Sequence, residues 1–316
     1  MQPAFDISSS QSDPKARPFW LTPAAYWVPP HLPVSAWYTH TPFAAWLIDV
    51  LRPEVVAELG THFGCSCFAF AEAAKRLGHG CTIHAVDTWQ GDDHAGYYGQ
   101  EVFDEVSRVT EADYDRSVRL VRARFDEARQ DFADGSLDLL HIDGRHGYED
   151  VRADYLGWLP AVRDGGVILF HDIAERENGF GVWRLWEQIA QPGRSFAFEH
   201  GHGLGVLAVG EVRVPELRAL FDADEDTGAR IRADFARLGA GVERQAWLET
   251  LPAEIESVHE ELARRSRAEQ ELQQRLDAQT VHIDAQAARI DALEHSTSWR
   301  VTAPLRALGR LRRRDR

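Results

Sequence analysis

The chain has 316 residues, 44% of them hydrophobic and 27% charged, enough apolar material for one full core with about a third of the length to spare, so a single compact domain is excluded. The formal charge of −15 is unevenly spread: residues 300–316 hold seven arginines against Asp315, a net +6 that leaves −21 on residues 1–299. A body this acidic excludes nucleic acid as a partner, because no basic face remains to neutralise phosphates.

Residues 1–35 mix prolines with Phe19, Trp20, Tyr26 and Trp27 without periodicity, which predicts an irregular arm that packs by its rings, with about its first 12 residues disordered. Residues 36–51 place Trp37, Phe43, Trp46, Leu47 and Val50 on one side and predict a helix that ends before Pro53. Val55 to Leu59 then form an apolar run containing Glu58, closed by Gly60-Thr61-His62-Phe63-Gly64. A tight glycine turn between a strand and an alanine-rich helix, here Ser66 to about Leu77, is where α/β proteins bind nucleotide-like cofactors.

A second apolar run, Cys81 to Val86, ends in Asp87. Dinucleotide folds need a third glycine so that the helix can face a pyrophosphate, and Cys65-Ser66-Cys67 stand where it would be. A cofactor without phosphate, such as S-adenosylmethionine, does not need that glycine. Its ammonium and sulfonium are compatible with an acid such as Glu58 beside the turn, and Asp87 is placed to accept hydrogen bonds from both ribose hydroxyls. Gly60, Gly64, Glu58 and Asp87 are therefore the expected cofactor residues. A nicotinamide-dependent oxidoreductase stays open as the alternative that the missing glycine disfavours.

Further strands are expected near 118–121, 137–142, 166–170, 195–199 and 204–209, the last two as an antiparallel hairpin. The blocks Thr88-Trp89-Gln90-Gly91-Asp92, Asp138 to Glu149 (Asp-Leu-Leu-His-Ile-Asp-Gly-Arg-His-Gly-Tyr-Glu) and Asp164 to Asp172 (Asp-Gly-Gly-Val-Ile-Leu-Phe-His-Asp), together with the glycine turn, resemble the class I S-adenosylmethionine-dependent methyltransferases. Within them they resemble the branch found in bacterial surface-polysaccharide and glycosyltransferase gene clusters. The resemblance spans residues 36–210. It implies an α/β, doubly wound Rossmann-like sheet with an antiparallel edge hairpin, and O-methylation of a sugar hydroxyl of a surface glycan. A natural-product acceptor is one alternative reading, and a non-catalytic adaptor that organises glycosyltransferases is another.

The resemblance also implies that Asp143, His146 and Tyr148 face the methyl donor and acceptor. His146 is the expected base, having an ordinary pKa of about 6.5, and Asp143 is expected to serve both catalysis and cofactor. Asp143 and Asp172 together offer oxygen ligands for Mg2+, although His171-Asp172 stands where metal-dependent relatives usually carry an acid–amide pair. Trp89, His94, Tyr98 and His171 are expected to contact the substrate, aromatic faces and polar groups suiting a sugar.

Residues 211–250 read as a helical link and 251–295 as a coiled coil. With Ile255 at position a, the a residues are Ile255, Leu262, Glu269, Leu276, Ile283 and Ile290, and the d residues are Val258, Arg265, Leu272, Gln279, Gln286 and Leu293. Eight of these twelve are apolar, which predicts a homo-oligomer whose polar layers select register and partner. Residues 296–316, with Trp299, Leu305, Leu308 and Leu311 among arginines, read as a basic amphipathic tail suited to an anionic membrane surface. Neither a secretory start nor an apolar run of membrane-spanning length is present, and Cys65, Cys67 and Cys81 do not read as a disulfide framework. A cytoplasmic protein, peripheral at the inner face of the plasma membrane, is expected.

Overall fold

The computed structural model describes residues 17–92 and 96–306. His94, the first 16 residues and the tail from 307, with Leu308, Leu311 and Arg312 to Arg314, lie outside the described residues. The chain divides into two compact units, residues 1–249 and 250–316.

In the first unit, helix α1 (Thr41–Leu51) leads to strand β1 (Val55–Leu59), α2 (Cys65–Arg76) and β2 (Thr82–Asp87), followed by a two-residue hairpin of β3 (Gly91–Asp92) and β4 (Gly96–Tyr97). Next come α3 (Gln100–Val109), β5 (Val118–Arg122), α4 (Phe125–Ala128), β6 (Leu137–Ile142), α5 (Tyr148–Trp158), β7 (Val162–His171) and α6 (Val182–Ile189). The edge strands β8 (Ser195–Phe198) and β9 (Leu204–Ala208) precede α7 (Pro215–Phe221). The main sheet runs β5-β2-β1-β6-β7-β9-β8. Its first five strands are parallel, and β9 is antiparallel to both β7 and β8. This is the doubly wound sheet with an antiparallel edge hairpin expected from the sequence.

Strand pleating divides the core. Val56, Ile83, Leu139, Val167 and Leu169 face one layer with α1, α2 and α7, while Ala57, Leu59, Leu140, Ile168 and Phe170 face the layer of α5 and α6. The aromatic arm belongs to the first layer. Trp20 is buried and its indole N–H donates to Asp234 Oδ2 at 3.0 Å. The helix expected at 36–51 begins only at Thr41, because Tyr38–His40 form a single tighter turn before Pro42 sets the first helical turn.

Helix α8 (Glu225–Glu294) is 70 residues long and contains Pro252. Its part within the first unit buries Ile231, Phe235, Val242 and Ala246. Within the second unit the a and d positions of the heptads stand exposed. A short helix α9 (Thr297–Val301) follows, capped by Ser296, whose hydroxyl accepts from Trp299 N. The guanidinium of Arg306 lies 3.8 Å from the Trp299 ring centroid. Among the described residues no helix is long and apolar enough to cross a membrane.

Candidate active site

Strand order reverses at β1, from which the chain steps outward to β2 and β5 before returning to the parallel β6 on the other side, and a crevice opens at the carboxyl ends of these strands. A cavity of about 870 Å³ occupies that position. Its wall carries seven carboxylates, among them Asp87, Asp143, Asp150, Asp154 and Asp172, against only two guanidinium groups, Arg124 and Arg145.

The glycine turn is fixed by two demands on Gly60. Its φ of +91° suits glycine, and a Cβ there would lie 2.1 Å from the Asp143 carbonyl oxygen. Gly60 therefore lets the β1 turn lie directly against the β6 turn. Gly64 (φ +85°) starts α2 and does not itself line the cavity; its neighbours Phe63, Cys65 and Ser66 do.

Asp87 lines the cavity from the end of β2. Its Oδ2 accepts from the backbone N–H groups of Thr61 and His62, both at 2.9 Å, and its Oδ1 from that of Trp89 at 2.7 Å. The carboxylate thus clamps the glycine turn. With two of its four lone-pair positions filled on Oδ2 and one on Oδ1, a single position remains on Oδ1 for a ligand, where the sequence reading has both ribose hydroxyls bonded to this carboxylate.

Glu58 also departs from expectation. It is fully buried beneath the turn and absent from the cavity wall. Its Oε1 accepts from Ser66 Oγ at 2.5 Å and pairs with His141 Nδ1 at 3.1 Å, while the Trp37 indole N–H donates to His141 Nε2 at 3.2 Å. An acid second from the end of β1 points into the layer under α2, where it ties the first turn of that helix to β6 instead of reaching a ligand. Trp89 is likewise not a substrate contact. Its φ of +51° turns the ring inward, where it is buried against Phe103 and donates to the His62 carbonyl at 3.0 Å. Tyr98 does line the cavity and packs on His62, ring centroids 4.8 Å apart.

The third group of carboxylates is held by rings. His171 Nδ1 lies 3.2 Å from both Asp143 Oδ1 and Asp172 Oδ2, and His146 Nε2 lies 2.9 Å from Asp172 Oδ2 and 3.8 Å from Asp143 Oδ1. Phe180 stacks on the His146 ring at 4.4 Å. Burial opposes charge on both histidines, yet the two carboxylates overcome it: His146 is raised to about 9 and His171 well above its ordinary value. The carboxyl groups respond in the opposite sense. Burial alone would raise them, but His171 with His146 holds Asp143 well below the usual range and Asp172 at about 2. Raised to about 9, His146 tends to keep its proton at neutral pH while both carboxylates are ionised, which disfavours the role of base expected from the sequence. Tyr148 turns away, its hydroxyl donating to Gln188 Oε1 at 3.0 Å.

Sequence reasoning missed a further shell of histidines. His40, fully buried, lies edge-on to His171 (5.4 Å) and near His200 (4.9 Å), and its Nε2–H donates to the Gly201 carbonyl at 2.9 Å. Burial lowers His40 and His200, opposite in sense to the carboxylate-raised His171. His202 lines the cavity and pairs with Glu175 at 2.5 Å. The His-Gly-His-Gly run at 200–203 was the available signal. Six non-glycine residues among those described have positive φ, and four of them, His62, Asp172, Asn178 and His202, line this cavity. Such conformations cost about 1–2 kcal/mol each and gather where function requires them.

Atoms of Asp143, His146 and Asp172 all lie within 4.8 Å of one another, a donor set of two carboxylates and one imidazole that fits a divalent cation. The nitrogen donor departs from the all-oxygen magnesium set expected from Asp143 and Asp172 alone.

Residues 57–173 match the family described as a methyltransferase domain. The uncharacterized protein y4gI of Sinorhizobium fredii is 45% identical over 201 residues, covering 62% of this chain and 22% of that protein, so the matched part spans about a fifth of that relative's length. Among solved structures, the chain is similar to the O-methyltransferase TomG from Streptomyces achromogenes, involved in tomaymycin synthesis and in complex with S-adenosylmethionine. That likeness has 17% identity, covers 58% of this chain and 83% of that one, and has a TM-score of 0.44. An O-methyltransferase from Bacillus cereus in complex with S-adenosylhomocysteine gives 18% identity, 58% and 84% coverage and a TM-score of 0.43.

Proposed function

We propose, for a chain that carries a class I S-adenosylmethionine-dependent methyltransferase domain followed by a long C-terminal helix, that it O-methylates a sugar hydroxyl of a bacterial surface glycan. The observation that carries the methyl-transfer reading is the sign of the cavity: its carboxylates, even with Asp154 raised to about 7, outnumber the two guanidinium groups and the raised His146 and His171, a balance that attracts a sulfonium and an ammonium and repels the pyrophosphate of a dinucleotide. Intact turn geometry at Gly60 and Gly64 argues against a non-catalytic adaptor.

In this reading the remaining acceptor position of Asp87 holds the adenosyl ribose beside the turn that it clamps, and Asp143 faces the reacting atoms from the end of β6. Methyl transfer forms a carbon–oxygen bond as the carbon–sulfur bond breaks, and the hydroxyl oxygen becomes strongly acidic along the way. A carboxylate of low basicity can therefore receive the proton late, and Asp143, one-fifth exposed on the cavity wall, is the group placed to do so. His171 and His146 are positioning residues that hold Asp143 and Asp172 in register. Asp143, His146 and Asp172 are the residues that would hold a divalent cation, which when bound would lower the pKa of the acceptor hydroxyl. Tyr98 and the His202–Glu175 pair give the cavity the ring face and polar edge that a sugar requires.

The C-terminal helix pairs copies of the chain, and the basic tail brings them to an anionic membrane at its cytoplasmic face, beside glycosyltransferases that build the acceptor. Mass spectrometry of the surface glycan with and without the gene tests the acceptor: loss of 14 mass units (roughly one CH2, the net change of a methyl ether) is expected, and an unchanged glycan would reject it. Full turnover after exhaustive EDTA treatment would reject a metal requirement.

A further inference from the structure

The second unit exposes a stripe that a solvated helix does not need. Leu251, Ile255, Val258, Leu262, Leu272, Leu276, Ile283, Ile290 and Leu293 all have at least 45% of their surface open. They fall on a and d positions, extended by one d position to Leu251, so they form one seam along about 63 Å of helix, counting 1.5 Å per residue from 251 to 293. The seam is broken by the charged residues Arg265 at d and Glu269 at a, and further on by the neutral Gln279 and Gln286 at d; an antiparallel pair centred on Arg267 leaves Ile290 and Leu293 beyond its core. These two charges decide which occupant fits.

In a parallel, in-register pair each a residue meets its own copy. Arg265 would face Arg265 of the second chain and Glu269 would face Glu269, two like-charge layers in the seam. Reversing one helix places a against d. An antiparallel pair centred on Arg267 sets Arg265 opposite Glu269 twice, once in each direction. The same register sets Leu262 opposite Leu272, Val258 opposite Leu276 and Leu251 opposite Ile283, with Ile255 against Gln279, again each twice. On the flank, Glu261 of each helix meets Arg275 of the other. Sliding the pair by one heptad in either direction would instead place Arg265 against Leu276 or Leu262, and Glu269 against Leu272 or Val258, burying each charge against leucine or valine. The polar layers therefore specify both direction and register.

We propose that the C-terminal helix forms an antiparallel two-stranded coiled coil with a second copy of this chain, centred on Arg267. The proposal rests on the reading that the helix pairs copies of the chain and adds the orientation. Within one helix Glu261 already bonds Arg264 and Arg265 at 2.8–3.1 Å, so the cross-pair contacts use donors that Arg265 has to spare.

Light scattering on the full chain and a spin-label distance test the two parts separately. Ala288 lies on the outer face, and Cys65, Cys67 and Cys81 are buried with thiols pushed up by burial, so a label on an Ala288→Cys variant reports from one site. An antiparallel pair centred on Arg267 separates the two labels by about 60 Å, and a parallel pair by about 20 Å. The account expects a dimer with the long distance, at least a tenfold weaker dimer for Arg265→Glu, and recovery when Glu269→Arg is added. A monomer at micromolar concentration would overturn self-pairing and orientation together, leaving a different protein as the partner. A dimer with the short distance, or a charge swap without recovery, would overturn the orientation alone.

Discussion

Two sets of carboxylates face the same cavity and are held in opposite ways. Asp87 is clamped by three backbone N–H groups, whereas Asp143 and Asp172 are clamped by the rings of His146 and His171. Backbone dipoles cannot lose a proton or rotate away, so the Asp87 side is a fixed platform; imidazoles can do both, so the other side can exchange partners with an acceptor or a cation. Under the proposed function the platform serves cofactor binding and the exchangeable side serves chemistry.

The largest expected effect follows on the exchangeable side. Asp143→Asn removes the proton acceptor while keeping the shape, and turnover should fall by about 10²- to 10⁴-fold with S-adenosylmethionine affinity changed only a few-fold. Steady-state kinetics and calorimetry on the same preparation check the split; parallel losses in both would erase the distinction between the two sides. On the platform, Asp87→Ala leaves three amides without their acceptor. Cofactor affinity should fall about ten- to a hundredfold, the equivalent of roughly 1.5–3 kcal/mol, and Tm should fall with it. Unchanged Tm would mean that Asp87 serves the ligand alone.

Asp154 sharpens the comparison because it has neither clamp. Burial, then Asp150 and Asp126, raise its carboxyl to about 7. The folded protein therefore binds this proton more tightly than the unfolded chain, whose pKa is about 3.9, and stability from this group is lost as pH rises between those values. Asp154→Asn should match the wild-type Tm near pH 4 and exceed it by a few degrees at pH 8. A variant less stable at pH 8 would show that the charged form has a partner.

The fold was readable because each strand is a short apolar run closed by a turn residue, and every strand of the main sheet lies within a few residues of its expected place, β7 extending furthest. Within the site, Gly60, Asp87, Asp143 and Asp172 were legible because strand ends converge at one edge of such a sheet. What could not be read is direction. Glu58 and Trp89 stand beside the right turn in sequence, yet pleating sends one beneath α2 and a left-handed backbone sends the other into the core. The histidine shell was hidden for a different reason: His40 and His171 are 131 positions apart, and the Tyr38–His40 turn, held to the Gly201 carbonyl of the edge hairpin, brings their rings together.

Whether this cavity is built for a cationic adenosyl cofactor is decided by calorimetric titration of the full chain with S-adenosylmethionine and, separately, with NAD+. Micromolar binding of S-adenosylmethionine that weakens at least tenfold in Asp87→Ala, with no heat from NAD+, is the predicted result. Binding of NAD+ at comparable strength, or none of S-adenosylmethionine, would contradict it.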